Sequence, residues 1–436
     1  MRSGDGLLMR LRLPGGRITA QGFARVARIA ARHGNGHVDL TALGNLQIRG
    51  VVDGAAASAE LVAAGLAVAP AEAESARNIV ASAAADVDPC ALADSQPLVR
   101  ELDAALQNAP DLWQLPPKFR FVIDGGGASS VAMQPGDIRA DAVPAPDGTP
   151  VYRLALAGTA ADAEPLGCCA PQQAGAAMLA LARAFLSLQA ELAQPAARMA
   201  EMLRLRGSQP LRAAVPGLAS PGGCPGAPAP APLLGAQAGF FGAAPPHGRL
   251  QAAQCEELAA LARAHGDGSL RLAPRRSLLL PGAGAEVAPA LAAIGLIVDA
   301  GDPRLAVTAC VGAEGCLSGS TTTRADADAW APLLPAADTG ALLHVSGCAK
   351  GCAHPRPAPL TLRAIDGRYQ LLVDDHAASE SPDGVLATDL DRAAASRWLA
   401  ALREALRRER RPEETAATAL RRLGANGMRR LLAEMA

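Results

Sequence analysis

At 436 residues, half of them apolar and with 41 basic against 42 acidic side chains, the chain can form two or three domains with ample core. It lacks the basic excess that nucleic acid binding requires. Its nine cysteines, an odd number without a secreted disulfide framework, fit a reducing cytoplasm; neither export nor a membrane partner is expected, because the apolar stretch 287–298 is too short for a bilayer and the uncharged run 213–248 is broken by proline.

Residues 7–13 alternate as a strand does, with Leu7, Met9, Leu11 and Leu13 on one face and Leu8, Arg10 and Arg12 on the other. Thr19 then caps a predicted helix whose apolar stripe is Phe23, Val26, Ala27 and Ala30, with Arg25, Arg28 and Arg32 outward and Gly34 just past its end. The run Gly16-Arg-Ile, helix, His33-Gly-Asn-Gly, Leu40 and Gly50 recurs as Gly248-Arg-Leu, helix, His265-Gly-Asp-Gly, Leu272 and Gly282. The offset is a constant 232 residues, and Leu258, Leu261 and Ala262 fill the matching stripe. A β-α-β unit of this size cannot bury both of its faces alone, so the copies are expected to pair about a pseudo-twofold axis; a period this long means two halves, not a solenoid.

Between the copies, a short strand from Phe121 to Ile123 follows Leu-Pro-Pro-Lys-Phe-Arg, residues 174–206 look helical with an interruption at Pro195, and the stretch 207–246, dense in proline and glycine, reads as a connection. From Asp391 onward the sequence is helical. Its arginines 403, 407, 408, 410 and 411 interleave with Glu404, Glu409, Glu413 and Glu414, the pattern of a solvated face more than of a binding surface. The expected fold class is α+β. The expected organisation is a half-domain over 1–70, an α/β domain over 71–206, a linker over 207–235, a second half-domain over 236–300 and a second α/β domain over 301–436.

Four cysteines stand in two unequal pairs, Cys310-x5-Cys316 and Cys348-x3-Cys352. Zinc knuckles favour C-x2-C, whereas a 4Fe-4S cube presents four irons around a larger body and accepts wider, mixed spacings. Gly312, Gly315, Gly319, Gly347 and Gly351 surround these cysteines, as close backbone approach and N–H groups aimed at sulfur require. Zinc or plain buried thiols are the competing reading. Cys90, Cys168, Cys169, Cys224 and Cys255 lack such patterning and are expected as small core residues. Only two lysines occur, Lys118 and Lys350, and both lie in these unusual motifs, where a compact ammonium can do what a guanidinium cannot.

Five segments, taken in order, carry a family resemblance: Asp5-Gly-Leu-Leu-Met-Arg-Leu-Arg-Leu-Pro-Gly-Gly, Asn45-Leu-Gln-Ile-Arg-Gly, Arg77-Asn-Ile-Val, Leu115-Pro-Pro-Lys-Phe-Arg-Phe and His344-Val-Ser-Gly-Cys-Ala-Lys-Gly-Cys-Ala-His-Pro. With them the chain resembles the sulfite and nitrite reductase superfamily throughout its length, and within it the branch of aerobic cobalamin biosynthesis that hydroxylates precorrin-3A with O2. The resemblance implies a nitrite/sulfite reductase-like fold, with ferredoxin-like half-domains and two larger α/β domains. It also implies that Cys310, Cys316, Cys348 and Cys352 hold a 4Fe-4S cluster fed by an external NADH-linked donor, that a mononuclear non-haem iron activates O2, and that Arg77, Lys118 and Arg120 line the oxygen side. Sirohaem belongs to the alternative reading, a nitrite or sulfite reductase; a plain iron-sulfur electron carrier is a third.

A tetrapyrrole fringed with acetates and propionates calls for cations on rigid strands, for which Arg10, Arg12, Arg49, Arg275 and Arg276 are candidates, with Gln47 adding a neutral hydrogen bond. Asn78 is either a ligand contact or a helix cap, and Lys350 either answers cluster or substrate charge or is structural. His354, a lone histidine before proline, reads as structural. Where the reductases carry an arginine in a Thr-Thr-Arg-Gln segment, and the cobalamin branch commonly keeps one, this chain has Leu43. Loss of that cation argues against an oxyanion substrate by roughly 1.5–3 kcal/mol.

Overall fold

The computed structural model describes residues 2–220, 233–335 and 341–434. The chain divides into two compact units, one formed by Met9–Ile48 with Asp53–Val298, the other by Met1–Leu8, Arg49–Val52 and Asp299–Ala436.

In the larger unit the two repeats interlock. Helix Ala20–His33 buries Phe23, Val26, Ala27, Ile29 and Ala30, and Thr19 accepts a hydrogen bond from the Gly22 N–H at 3.0 Å. It packs on its counterpart, Ala252–His265, which buries Cys255, Leu258, Ala259 and Ala262. Each copy lends the strand before its helix to the other copy: Arg17–Thr19 pairs with Ser269–Ala273, Ile18 opposite Leu270, while Arg249–Gln251 pairs with His37–Leu40, Leu250 opposite Val38. Gly16 and Gly248, both at positive φ, sit where a Cβ would meet the carbonyl oxygens of Leu272 and Leu40, 2.1 and 3.0 Å away. Only glycine allows this approach of backbone from one copy to backbone of the other.

The same unit holds a five-stranded sheet in the order Glu164–Cys169, Pro150–Gly158, Gly136–Pro144, Phe121–Asp124, Ile79–Ala81; the last three strands run parallel and the others antiparallel. Helices Gln96–Gln107, Pro171–Ala190 and Met199–Arg206 cover it through Leu102, Leu106, Met178, Leu181, Phe185 and Met202. The packed chain runs further than the expected linker boundary. Gln209–Ala213 is helical, its Leu211 and the later Val215 join this core one helical turn apart, and Ala219 exchanges backbone hydrogen bonds with Cys168. Cys168, Cys169 and Cys255 are buried as expected; Cys90 is exposed, and Cys224 lies outside the described residues.

The smaller unit carries a sheet in the order Val307–Ala309, Leu343–Ser346, Ala358–Ile365, Arg368–Asp375, Val385–Leu390, again three parallel strands followed by antiparallel ones. The two sheets therefore share one topology, so the duplication extends beyond the half-domains in which sequence shows it. Helices Thr323–Trp330, Arg392–Glu409 and Ala416–Glu434 bury Trp330, Leu399, Leu402, Leu406, Leu420 and Met428 against it. On the outer face of the tail, Glu404 accepts from Arg407 and Arg408, and Glu414 from Arg422. Among the described residues no helix is long and apolar enough to cross a membrane.

Candidate metal centre and basic cluster

The cysteine pairs sit at the carboxyl ends of two adjacent parallel strands. With Val307 opposite Leu343 and Ala309 opposite Val345, the register brings the loops after Ala309 and after Ser346 side by side, the place where sheets of this kind build ligand sites. Cys310 donates its backbone N–H to the Val345 carbonyl at 3.2 Å, and the Gly347 N–H points at Cys310 Sγ at 3.2 Å. Gly312, Gly319 and Gly347 pack backbone to backbone: a Cβ on Gly347 would lie 3.2 and 3.3 Å from the Cα atoms of Gly312 and Gly319. None of the four thiols is in a disulfide. The Cys352 thiol is pushed up in pKa by burial and then by Cys348, Cys310 and Cys316, so the other three sulfurs lie within electrostatic reach of Cys352.

Among the described residues no three His, Cys, Asp or Glu side chains converge as a single ion requires. A cube with one thiolate per iron does not need such convergence. Four free thiols on two glycine-packed loops, with an N–H aimed at sulfur, fit that group and argue against a mononuclear zinc site. The mononuclear iron implied by the resemblance finds no ligand set of that kind among the described residues.

Two polar clasps hold these loops. Arg49 donates through Nε and Nη2 to the Asp5 carboxylate at 3.0 and 3.1 Å, through Nη2 to Ser3 Oγ at 3.0 Å and to the Gly315 carbonyl at 2.8 Å. Gly315 directly precedes Cys316. The guanidinium expected to meet substrate is thus committed to the first cysteine loop, with its side chain and that of Asp5 nearly excluded from solvent. Lys350 Nζ donates to Ser318 Oγ at 2.8 Å, which ties the second cysteine loop to the first.

Behind this site lies His344, fully buried in the strand Leu343–Ser346, with neither ring nitrogen hydrogen-bonded and its ring 5.7 Å from that of His354. Burial, with a smaller push from His354, lowers its pKa to about 4. An unfolded histidine titrates near 6.5, so between those values the unfolded state takes up a proton that the folded state refuses. Stability is expected to fall by about 2 kcal/mol from pH 7 to pH 5 on this account. Urea unfolding of the wild type and of His344→Leu at both pH values checks it; equal pH slopes would remove His344 as the cause.

The basic residues assemble in the larger unit. Ile79 lies opposite Phe121 in adjacent parallel strands, so Arg77 and Asn78 enter one strand beside Lys118, Phe119 and Arg120 entering the other. Burial, and the like charges of Arg10, Arg120 and Arg77, depress the Arg12 pKa against the attraction of Glu74, which shows that these four arginines share one region. Arg12 Nη2 donates to the Pro117 carbonyl at 3.0 Å. Arg120 donates to the Pro135 carbonyl, its Nε is buried without a partner, and burial followed by Arg198 lowers its pKa. Lys118 and Arg10 are exposed.

Two expected contacts have structural employment instead. Arg77 is gripped by Asp103 at 2.6 and 3.0 Å and by Glu74 at 2.7 Å; although burial opposes it, these carboxylates raise its pKa. Asn78 Nδ2 donates to the Phe119 carbonyl at 2.8 Å, which fixes the turn that presents Lys118 and Arg120.

Gln47, Arg275 and Arg276 form a second group. Gln47 pairs with Asp39 across the strands, and burial lowers the pKa of Arg276 against the attraction of Asp39. Arg275 and Arg276 hold positive φ, at the repeat positions of Leu43 and Gly44, and the Arg275 N–H donates to the Ala42 carbonyl at 3.1 Å. The two equivalent turns therefore touch. The copy that lacks the arginine at Leu43 meets the copy that has one, a pairing that the repeat offset alone could have revealed.

Residues 1–61 and 235–295 match the nitrite/sulfite reductase ferredoxin-like half domain, and residues 72–220 match the nitrite and sulphite reductase 4Fe-4S domain. The second match ends before the four cysteines, so their assignment rests on the loops themselves. The chain is 31% identical to a precorrin-3B synthase of Sinorhizobium sp over 98% of its length and 91% of that protein. It is 28% identical to a ferredoxin–nitrite reductase of Synechococcus elongatus over 81% of its length and 75% of that protein. Its fold is similar to that of Mycobacterium tuberculosis NirA, with a TM-score of 0.75 over 97% of this chain and 84% of that one, at 18% identity. By these matches the chain belongs to the nitrite and sulfite reductase superfamily, in the family of its full-length relative precorrin-3B synthase.

Proposed function

We propose that the protein hydroxylates precorrin-3A at C20, with lactone closure from the ring A acetate, in aerobic cobalamin biosynthesis. The observation that carries this reading is the full-length relationship to a precorrin-3B synthase. One oxygen atom enters the macrocycle and the other leaves as water, so two electrons and two protons come from outside; an NADH-linked donor is the proposed source. A 4Fe-4S cluster on Cys310, Cys316, Cys348 and Cys352 would supply single-electron transfer when bound.

The protein's own residues do the rest. Exposed Lys118 and the incompletely satisfied Arg120 offer N–H donors and a proton toward reduced oxygen, on a turn fixed by the Asn78 hydrogen bond to the Phe119 carbonyl. Arg10 and Arg12 offer charge to substrate carboxylates. Leu43 packs against the apolar group of Val80, Val122 and Val131, so the wall where reductases place a cation for an oxyanion is apolar here and suits neutral O2.

Cluster-loaded protein incubated without oxygen with precorrin-3A and a reductant, then given 18O2, should yield a tetrapyrrole heavier by one labelled oxygen in mass spectrometry. Unchanged tetrapyrrole beside an intact cluster would instead favour the sirohaem nitrite or sulfite reductase reading, to which the nitrite reductase relative gives weaker support. Lys118→Ala is expected to keep its cluster and slow hydroxylation about tenfold to a hundredfold, the loss of one charge-assisted hydrogen bond. Wild-type kinetics in that variant would remove Lys118 from the site.

A further inference from the structure

On the reading that the four cysteines hold a 4Fe-4S cluster, we propose that Thr323 sets the reduction potential of that cluster by donating a hydrogen bond to the Cys310 thiolate. Thr323 is fully buried and opens the helix Thr323–Trp330, with its Oγ1 3.8 Å from Cys310 Sγ and 2.8 Å from the Cys310 carbonyl oxygen. A sulfur bound to iron carries no proton, so the hydroxyl is then the donor. Its place is fixed from both cysteine loops: a Cβ on Gly312 would lie 2.7 Å from Thr323 Oγ1, and one on Gly347 would lie 3.3 Å from Cγ2. One side chain is thus wedged between the loops.

Among the described residues, Cys310 is the one of the four whose sulfur receives hydrogen bonds, the other donor being the Gly347 N–H at 3.2 Å. Reduction adds an electron that spreads onto the sulfurs. A donor to sulfur stabilises that more negative state more strongly, which raises the potential. The surroundings lean the same way, because the positive end of the helix dipole lies at Thr323. The carboxylate in the same first turn, Asp326, is answered by Arg392 at 2.9 Å and by the Tyr369 hydroxyl at 2.5 Å. The bond to the Cys310 carbonyl braces the loop, and its loss would be read in iron content or stability. The contact with sulfur is read in the potential.

Reductive titration of cluster-loaded protein, followed by electron paramagnetic resonance, measures the midpoint. Thr323→Val, which keeps the shape, and the smaller Thr323→Ala both remove the donor. Each should move the reduction equilibrium about tenfold toward the oxidised cluster, about 59 mV for one electron. Thr323→Ser restores a hydroxyl and should return most of that shift. Ser320→Ala, which loses a hydroxyl that reaches only the Gly347 carbonyl, should keep the wild-type midpoint. Iron and sulfide content separates two kinds of failure: wild-type protein without four irons would sink the cluster reading and this role with it. Equal midpoints in wild type and the donor-free variants, each with four irons, would overturn the role of Thr323 alone. A Thr323→Ser midpoint as low as that of Thr323→Val, or an equal shift in Ser320→Ala, would overturn it too, since packing and not the donor would then be the cause.

Discussion

Cys348→Ser should yield protein that neither holds a complete cluster nor turns over. Cys348 follows Gly347, whose N–H already points at Cys310 Sγ, so the substitution removes a thiolate at the centre of the loop pair. A serine hydroxyl is a poor substitute, because soft thiolate sulfur is the ligand that iron-sulfur clusters select. Iron and sulfide content, with the visible absorption of the purified protein, read the result. Four irons per chain with an unchanged electron paramagnetic resonance spectrum would refute the ligand assignment, whatever the activity. The distinction matters because loss of turnover alone would also follow from a misfolded loop.

The second large effect is expected at Arg49→Leu, a residue with no predicted contact to the metal. The substitution strips the Asp5 carboxylate of its bidentate partner and the Gly315 carbonyl of its donor inside a nearly solvent-free clasp. Removing one partner of a buried pair costs about 3–5 kcal/mol, much more than the pair adds when intact. Chemical unfolding should show that loss, and the cluster should bleach faster on addition of a chelator. Arg49→Leu combined with Asp5→Leu should recover part of it, because no unpaired charge then remains. A double variant no more stable than Arg49→Leu alone would show that the clasp works through Ser3 and Gly315 and not through Asp5.

Arg49 also shows where sequence reasoning stops. The cysteine pairs were legible because ligand type and spacing are local, and the half-domain repeat because its glycines and helix stripe recur at one offset. The pairing of the two copies followed from the inability of each to bury itself, but the exchange of strands between them did not. By contrast, an arginine on a strand announces a charge but not its partner, and those of Arg49 are Asp5 and the distant carbonyl of Gly315. Arg77 met the same fate, taken by Asp103 on a helix that sequence did not connect to it. The shared topology of the two large sheets escaped notice for another reason. Buried strands need only be apolar, so the second copy kept the strand order without keeping recognisable residues.

That shared topology allows one site to be compared with its counterpart. At the carboxyl ends of the first sheet's parallel strands, where the second sheet has cysteines, Asp124 accepts from the hydroxyls of Ser82 and Ser130 and from the N–H groups of Gly126 and Val131. Its oxygens are spent and its loop is closed, so the duplicated position serves as internal bracing.

The exchanged strands set a timetable for synthesis. His37–Leu40 receives its neighbour, Arg249–Gln251, only after more than two hundred further residues have been made. At ribosomal speeds of about 5–20 residues per second that interval is roughly ten to forty seconds. Throughout it the first copy presents an unpaired sheet edge and a helix whose apolar face has no counterpart. Neither half is a folding unit in its own right, so the nascent chain has to be kept from pairing with its neighbours until its own second half emerges.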